Sequence, residues 1–241
     1  MSIEPETLTI PINERESVTA LIYLAAKRNR SRITLILGHG AGANQLSGFM
    51  RLFAGGLAAR GVDVVTFNFV YMEQGRHVPD KNDKLEAGYR SVIAGVRGHK
   101  KLKGNRLVIG GKSMGGRIAS QVAAQTNDGA QPADQAASLI PALVLLGYPL
   151  QPPGRPDKLR DAHLKHIRAP MLFIQGARDT FGTADELRAT IKQHQLPATL
   201  YVIEGGDHSF KVPKRLGVPQ PQVYENVMDE IAGWLATSVS I

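Results

Sequence analysis

The 241-residue chain contains no cysteine. That absence excludes disulfides, a cysteine-ligated zinc site and a thiol nucleophile. Long apolar runs are missing too. The longest, around residues 139–150, is interrupted by Pro141 and Pro149 and falls short of the ~20 residues that span a bilayer. The N-terminal Met1-Ser2-Ile3-Glu4-Pro5-Glu6 carries acids where a secretory signal would carry bases, and no apolar core follows. No internal repeat, low-complexity tract or Pro/Gly/Ser-rich linker divides the chain. These absences predict one domain over residues 1–241, no membrane contact and a cytoplasmic location.

What is present is ordinary for a globular α/β protein: 43% hydrophobic residues, 21% charged and 25 glycines. A chain of this length buries roughly 70–75% of its unfolded surface, enough for a sizeable core. Lysine and arginine exceed aspartate and glutamate by 29 to 21, a net charge of +8. The basic residues cluster at 97–106, 155–168 and 211–215. No aromatic interleaving or nucleic-acid motif accompanies them, so no nucleic-acid partner is expected. Their functional reading is a positive rim, with Arg117, Arg155 and Lys211, that draws in anionic small molecules.

Apolar runs rich in β-branched residues predict strands at residues 7–12, 19–25, 33–37, 62–69, 106–109, 142–146, 171–174 and 199–203. The first two read as an antiparallel hairpin turning at Asn13-Glu14-Arg15-Glu16. The later runs are apolar throughout, as strands buried on both faces are. Helical segments are expected at 48–60, 83–102, 116–125, 183–194 and 222–237, with Thr183 and Glu186 forming a capping box. Strand–helix alternation predicts a mostly parallel eight-stranded sheet with helices on both faces.

The chemistry-bearing motif is Gly111-Lys112-Ser113-Met114-Gly115. The apolar strand Leu107-Val108-Ile109 leads into it and a helical stretch leads out. This is the G-x-S-x-G nucleophile elbow in its strand–turn–helix setting, where glycines are needed because the backbones of strand and helix nearly touch. In that arrangement the partners follow as acid and then histidine. Asp179 lies just beyond the strand ending at Ile174, and His208 lies beyond the strand ending at Ile203. Asp207 is a rival acid, but adjacent side chains seldom aim at each other well enough to orient an imidazole. Gly38-His39-Gly40-Ala41-Gly42-Ala43 follows the third strand, where one oxyanion-hole amide is donated; the amides of Ala41 and Met114 are the expected pair.

Two rival motifs fail. Gly111-Lys112-Ser113 imitates the end of a phosphate-binding loop, but Arg106 stands where that loop needs glycine. Gly38, Gly40 and Ala43 fit a relaxed dinucleotide fingerprint, but the next strand ends in Phe67-Asn68-Phe69 without the ribose-binding acid. His163 and His166 have no third ligand motif, so no metal is expected.

With these residues in place, the chain resembles the α/β-hydrolase superfamily along its length. Within it, the chain is similar to the dienelactone-hydrolase-like family that includes testis-expressed protein 30. The resembling stretches are residues 38–43, 67–69 with 73–76, 110–117, 147–150, 152–154 and 205–210. The resemblance implies an α/β-hydrolase fold and a triad at Ser113, Asp179 and His208; acyl transfer through such a triad requires no cofactor. Dienelactone hydrolases proper use cysteine where this chain has Ser113, so their particular activity is not carried over. The expectation is a serine carboxylesterase acting on small or medium acyl esters, some of them anionic. The alternatives are an acyltransferase using the same triad and a non-catalytic binding protein on a hydrolase fold. Only about two dozen residues separate the sixth and seventh strands, too few for a large lid. An open pocket bordered by His39, Tyr71, Tyr148, Leu150 and Pro152 is therefore expected.

Overall fold

The computed structural model describes residues 4–125, 140–155 and 157–239. Residues 1–3 of the acidic N-terminal stretch, and residue 139 at the start of the longest apolar run, lie outside them.

All eight predicted strands form, in one sheet. They are β1 (Glu6–Pro11), β2 (Ser17–Tyr23), β3 (Ile33–Gly38), β4 (Asp63–Phe67), β5 (Arg106–Lys112), β6 (Leu143–Leu146), β7 (Met171–Gly176) and β8 (Ala198–Ile203). Their spatial order is β1-β2-β4-β3-β5-β6-β7-β8. β2 runs antiparallel to both β1 and β4, and every pairing from β4 to β8 is parallel. The hairpin turn is shaped by Asn13, whose Oδ1 accepts from the amides of Arg15 and Glu16.

Six helices cover the sheet among the described residues: α1 (Gly48–Ala59), α2 (Val70–Glu73), α3 (Asn82–Gly98), α4 (Met114–Gln125), α5 (Ala184–Gln193) and α6 (Gln220–Ser238). Side chains of α1 and α6, among them Phe53, Leu57, Val227, Ile231 and Leu235, pack with Leu35, Leu37, Val108, Val144 and Leu172 on one face. Side chains of α3, α4 and α5, among them Tyr89, Val92, Ile118, Val122 and Leu187, pack with Ile36, Ile109, Leu143, Leu145 and Phe173 on the other. Neighbouring strand residues thus feed opposite cores, which is why these strands are apolar without alternation. The capping box at Thr183 and Glu186 opens α5 as expected.

Several boundaries shift from the sequence reading, β5 running on to Lys112 among them, and three further shifts have a local cause. β4 stops at Phe67, and Phe69 caps the short α2, which periodicity could not show in four residues. α4 begins at Met114, because the chain leaves the elbow directly into a helix. α3 ends at Gly98; residues 99–105 turn instead, with Gly104 at φ +88° and Leu102 buried in the core. Between β6 and β7 the described chain holds one short 3-10 turn, Leu164–His166, and no lid domain. No helix of the described residues is long and apolar enough to cross a membrane.

Candidate active site

The parallel strands place their C-terminal ends along one edge, where open α/β sheets bind ligands. β5 delivers Ser113, whose backbone sits at φ +52°, a left-handed conformation that a non-glycine residue holds only when its surroundings enforce it. Here the Ser113 amide donates to the Leu146 carbonyl at 2.9 Å, tying the elbow to β6. The glycines are required by contact. A Cβ on Gly111 would lie 2.5 Å from the Gly38 carbonyl oxygen, and one on Gly115 would lie 2.2 Å from it.

Asp179 follows β7 and His208 follows β8. His208 Nδ1 bonds Asp179 Oδ2 at 2.7 Å, and His208 Nε2 is 2.9 Å from Ser113 Oγ. Nδ1–H donates to the carboxylate, which leaves Nε2 to accept from the hydroxyl. Asp179 is fully buried, and its second oxygen accepts from the Phe181 amide at 2.8 Å. Asp207, the rival acid, turns away: its Oδ1 accepts from the amides of Ser209 and Lys211, at 2.7 and 2.9 Å, and so shapes the loop that carries His208.

The loop after β3 lies against the elbow, with a Cβ on Gly40 falling 3.6 Å from that of Ser113. Ala41 and Met114 both border the cleft over Ser113. Met114 is the first residue of α4, where an amide has no acceptor within its own helix. Tyr71 donates its hydroxyl to the Ala41 carbonyl at 2.9 Å, which fixes the peptide beyond it.

The cleft encloses about 910 Å³, the scale of a small-molecule site. Its apolar wall includes Phe49, Leu52, Met114, Pro149, Pro153 and Phe181; its cations are Lys112, Arg117, Arg160 and Lys211, and it also holds the carboxylate of Asp80, which pairs with Arg76 at 2.7 Å. This corrects the expected border. His39, Tyr71, Tyr148 and Leu150 are all buried behind the cleft rather than lining it. Pro152 does not line it, while its neighbour Pro153 does. The Tyr148 hydroxyl donates to the Arg160 carbonyl at 2.7 Å. His39 Nε2 accepts from the Phe69 amide and its Nδ1–H donates to the Gly40 carbonyl, so burial pushes this imidazole down to about 4 and keeps it neutral. Of the expected rim, Arg117 and Lys211 reach the cleft, whereas Arg155 is exposed outside it and Arg160 takes its place. His163 bonds Ser120 at 2.8 Å and, buried beside Arg117, is also pushed down to about 4.

Two residues escaped the sequence reading. Gln175, the last polar residue of β7, is fully buried and donates to Asp179 Oδ2 at 3.0 Å while its Oε1 accepts from the Tyr148 amide at 2.8 Å. The signal was available: a lone amide ending an otherwise apolar strand needs partners inside the fold. The other is Lys112, a cleft residue that the sequence reading weighed only as part of the rejected phosphate-loop pattern.

Comparison with known proteins agrees with this architecture. The family described as "Alpha/beta hydrolase domain" matches residues 31–236. The fold resembles a dienelactone hydrolase from Anabaena variabilis, with a TM-score of 0.72 and 18% identity over 96% of this chain and 97% of that one. An alpha-beta serine hydrolase homologue from Coxiella burnetii gives 0.71 and 18% over 98% and 99%. A lidless a/b serine hydrolase from Xanthomonas campestris gives 0.68 and 19% over 99% and 95%. At such identities the likeness is one of fold. The chain belongs to the alpha/beta-hydrolase domain family, with the dienelactone-hydrolase-like fold that its motifs led us to expect.

Proposed function

We propose that this α/β-hydrolase is a serine carboxylesterase whose triad is Ser113, His208 and Asp179. The observation that carries the reading is the unbroken hydrogen-bond chain from Ser113 Oγ through the imidazole to a buried carboxylate. His208 takes the hydroxyl proton as Ser113 attacks the ester carbonyl, and the amides of Ala41 and Met114 hold the oxyanion. His208 then protonates the leaving alcohol, and water releases the acyl group by the same steps in reverse. Asp179 keeps Nδ1 protonated and stabilises the imidazolium. The reading of residues 1–241 as one domain is supported by β1 and β2 joining the same sheet as the family-matched strands.

The cleft favours small or medium esters, and its charge favours anionic ones. Arg117 bonds the neutral side-chain oxygens of Gln121 and Asn82, and neither it nor Arg160 has an ion pair with a carboxylate among the described residues. Burial and mutual repulsion hold Arg117 below the usual guanidinium range. An ester bearing a free carboxylate would supply the missing counter-charge.

The test is labelling by a fluorophosphonate probe together with hydrolysis of an ester panel. Wild type labels and turns over esters, and Ser113→Ala does neither, with kcat down by a factor of about 10⁴ or more. An unlabelled wild type would instead point to a binding protein.

A further inference from the structure

Lys112 precedes Ser113, and its enclosed ammonium has no hydrogen-bond partner among the described residues. It lies over two aromatic faces, 5.9 Å from the Phe49 centroid and 5.5 Å from that of Phe210. A methyl group on Gly147 would fall 2.8 Å from Nζ and 3.4 Å from His208 Nδ1, so the ammonium and the imidazole are at most about 6 Å apart. The charged groups around it are Asp179 beyond β7, and Asp207 and His208 beyond β8. From α1 it meets Phe49, behind which Tyr224 of α6 packs edge-on. Burial pushes Lys112 down to about 8, against the attraction of both aspartates, so it remains largely charged at neutral pH.

Packing does not account for this residue. A methionine would fill the same space between the rings without burying an unpaired charge, which is costly. The charge acts where it points. Asp179 favours the protonated imidazole, and a cation at this distance on the same side opposes it. We propose that Lys112 is a positioning residue whose ammonium offsets Asp179, keeping His208 in its proton-accepting form to lower pH than the carboxylate alone would allow. The proposal rests on His208 being the catalytic base. At about 6 Å and an effective dielectric between protein and water, the effect is on the order of one pH unit.

The experiment uses full-length wild type, Lys112→Met and Lys112→Gln. The His208 imidazole is titrated by NMR, its signal identified by loss in His208→Asn, and kcat/KM for a neutral ester is followed from pH 4 to 9. In the folded variants the His208 midpoint and the acidic limb should both move up by about one unit. Above pH 8, where wild-type Lys112 itself loses its proton, the wild-type and variant profiles should converge. Unchanged or lowered midpoints would reduce Lys112 to a space-filler, and failure of both variants to fold would likewise overturn the proposal. If wild-type Ser113 does not react with the phosphonate probe, the esterase reading falls while the NMR midpoint still decides what Lys112 does.

Discussion

Gln175 and Asp179 share more than a hydrogen bond: the carboxylate oxygen that receives the Gln175 amide at 3.0 Å is the one that holds His208. Gln175 also donates to the Gly182 carbonyl at 2.6 Å, tying the acid's loop to β7. Gln175→Leu would strand the Tyr148 amide and the Gly182 carbonyl in the core. We expect a loss of about 2–4 kcal/mol in chemical denaturation, since each buried orphan costs ~1–3 kcal/mol. Turnover should fall about tenfold more than substrate binding, because the imidazole loses its fixed aim. Wild-type stability in this variant would contradict the account.

Tyr71 acts on the other side of the nucleophile. Tyr71→Phe removes the bond to the Ala41 carbonyl, and the loop proposed to donate an oxyanion amide should loosen. The expected result is kcat reduced by roughly 10-fold or more with KM nearly constant, the signature of a loss confined to the transition state. Steady-state kinetics on a small ester measures it.

The glycine contacts separate two substitutions that look alike in sequence. Gly115→Ala drives a methyl into the Gly38 carbonyl, whereas a Cβ on Gly42 meets nothing within 4 Å. Gly115→Ala should lose probe labelling and at least ~3 kcal/mol of stability, and Gly42→Ala should keep both to within ~1 kcal/mol. Thermal melts with labelling of each variant would check the contrast.

His39 gives the protein an acid-sensitive term. Its folded form is pushed down to about 4 by burial, below the ordinary 6.5. The unfolded chain therefore binds the proton first, and the stability from neutral His39 is full above about pH 6.5 and lost as the pH falls toward 4. For this fully buried group the loss is about 2–3 kcal/mol. Denaturation midpoints from pH 7 to pH 4 should fall, and His39→Gln should flatten that slope whatever it does to stability at pH 7.

The cationic wall predicts selectivity. Arg160→Gln and Arg117→Gln should raise KM for a carboxylate-bearing ester about tenfold relative to its neutral analogue, and Arg155→Gln should leave that ratio unchanged. Raising the salt concentration should narrow the wild-type preference. Equal rates for both esters, insensitive to salt, would remove the anionic preference and leave the esterase reading standing.

The sequence by itself determined the strand set and the elbow, because those signals are local. β-branched apolar runs bounded by turn residues mark the strands buried on both faces, β3, β4, β6 and β7, although the same kind of run in the edge strand β8 is half exposed; glycines on either side of Ser113 mark a turn too tight for side chains. The tertiary structure decided what depends on orientation across the chain. Asp179 and Asp207 were both near enough in sequence to matter, and only folding shows one aimed at His208 and the other spent on its own loop. Tyr71, Tyr148 and His39 could have faced the substrate, but Tyr71 and Tyr148 belong to the core on one face of the sheet, His39 packs on Phe69 and Tyr71 of that core, and their polar atoms are satisfied by backbone inside the fold. Lys112 stands beside Ser113 in the sequence. Its lack of a hydrogen-bond partner among the described residues, and its place near the imidazole of a residue 96 positions away, arise only when β5, β6 and the loop after β8 are brought together at one edge of the sheet.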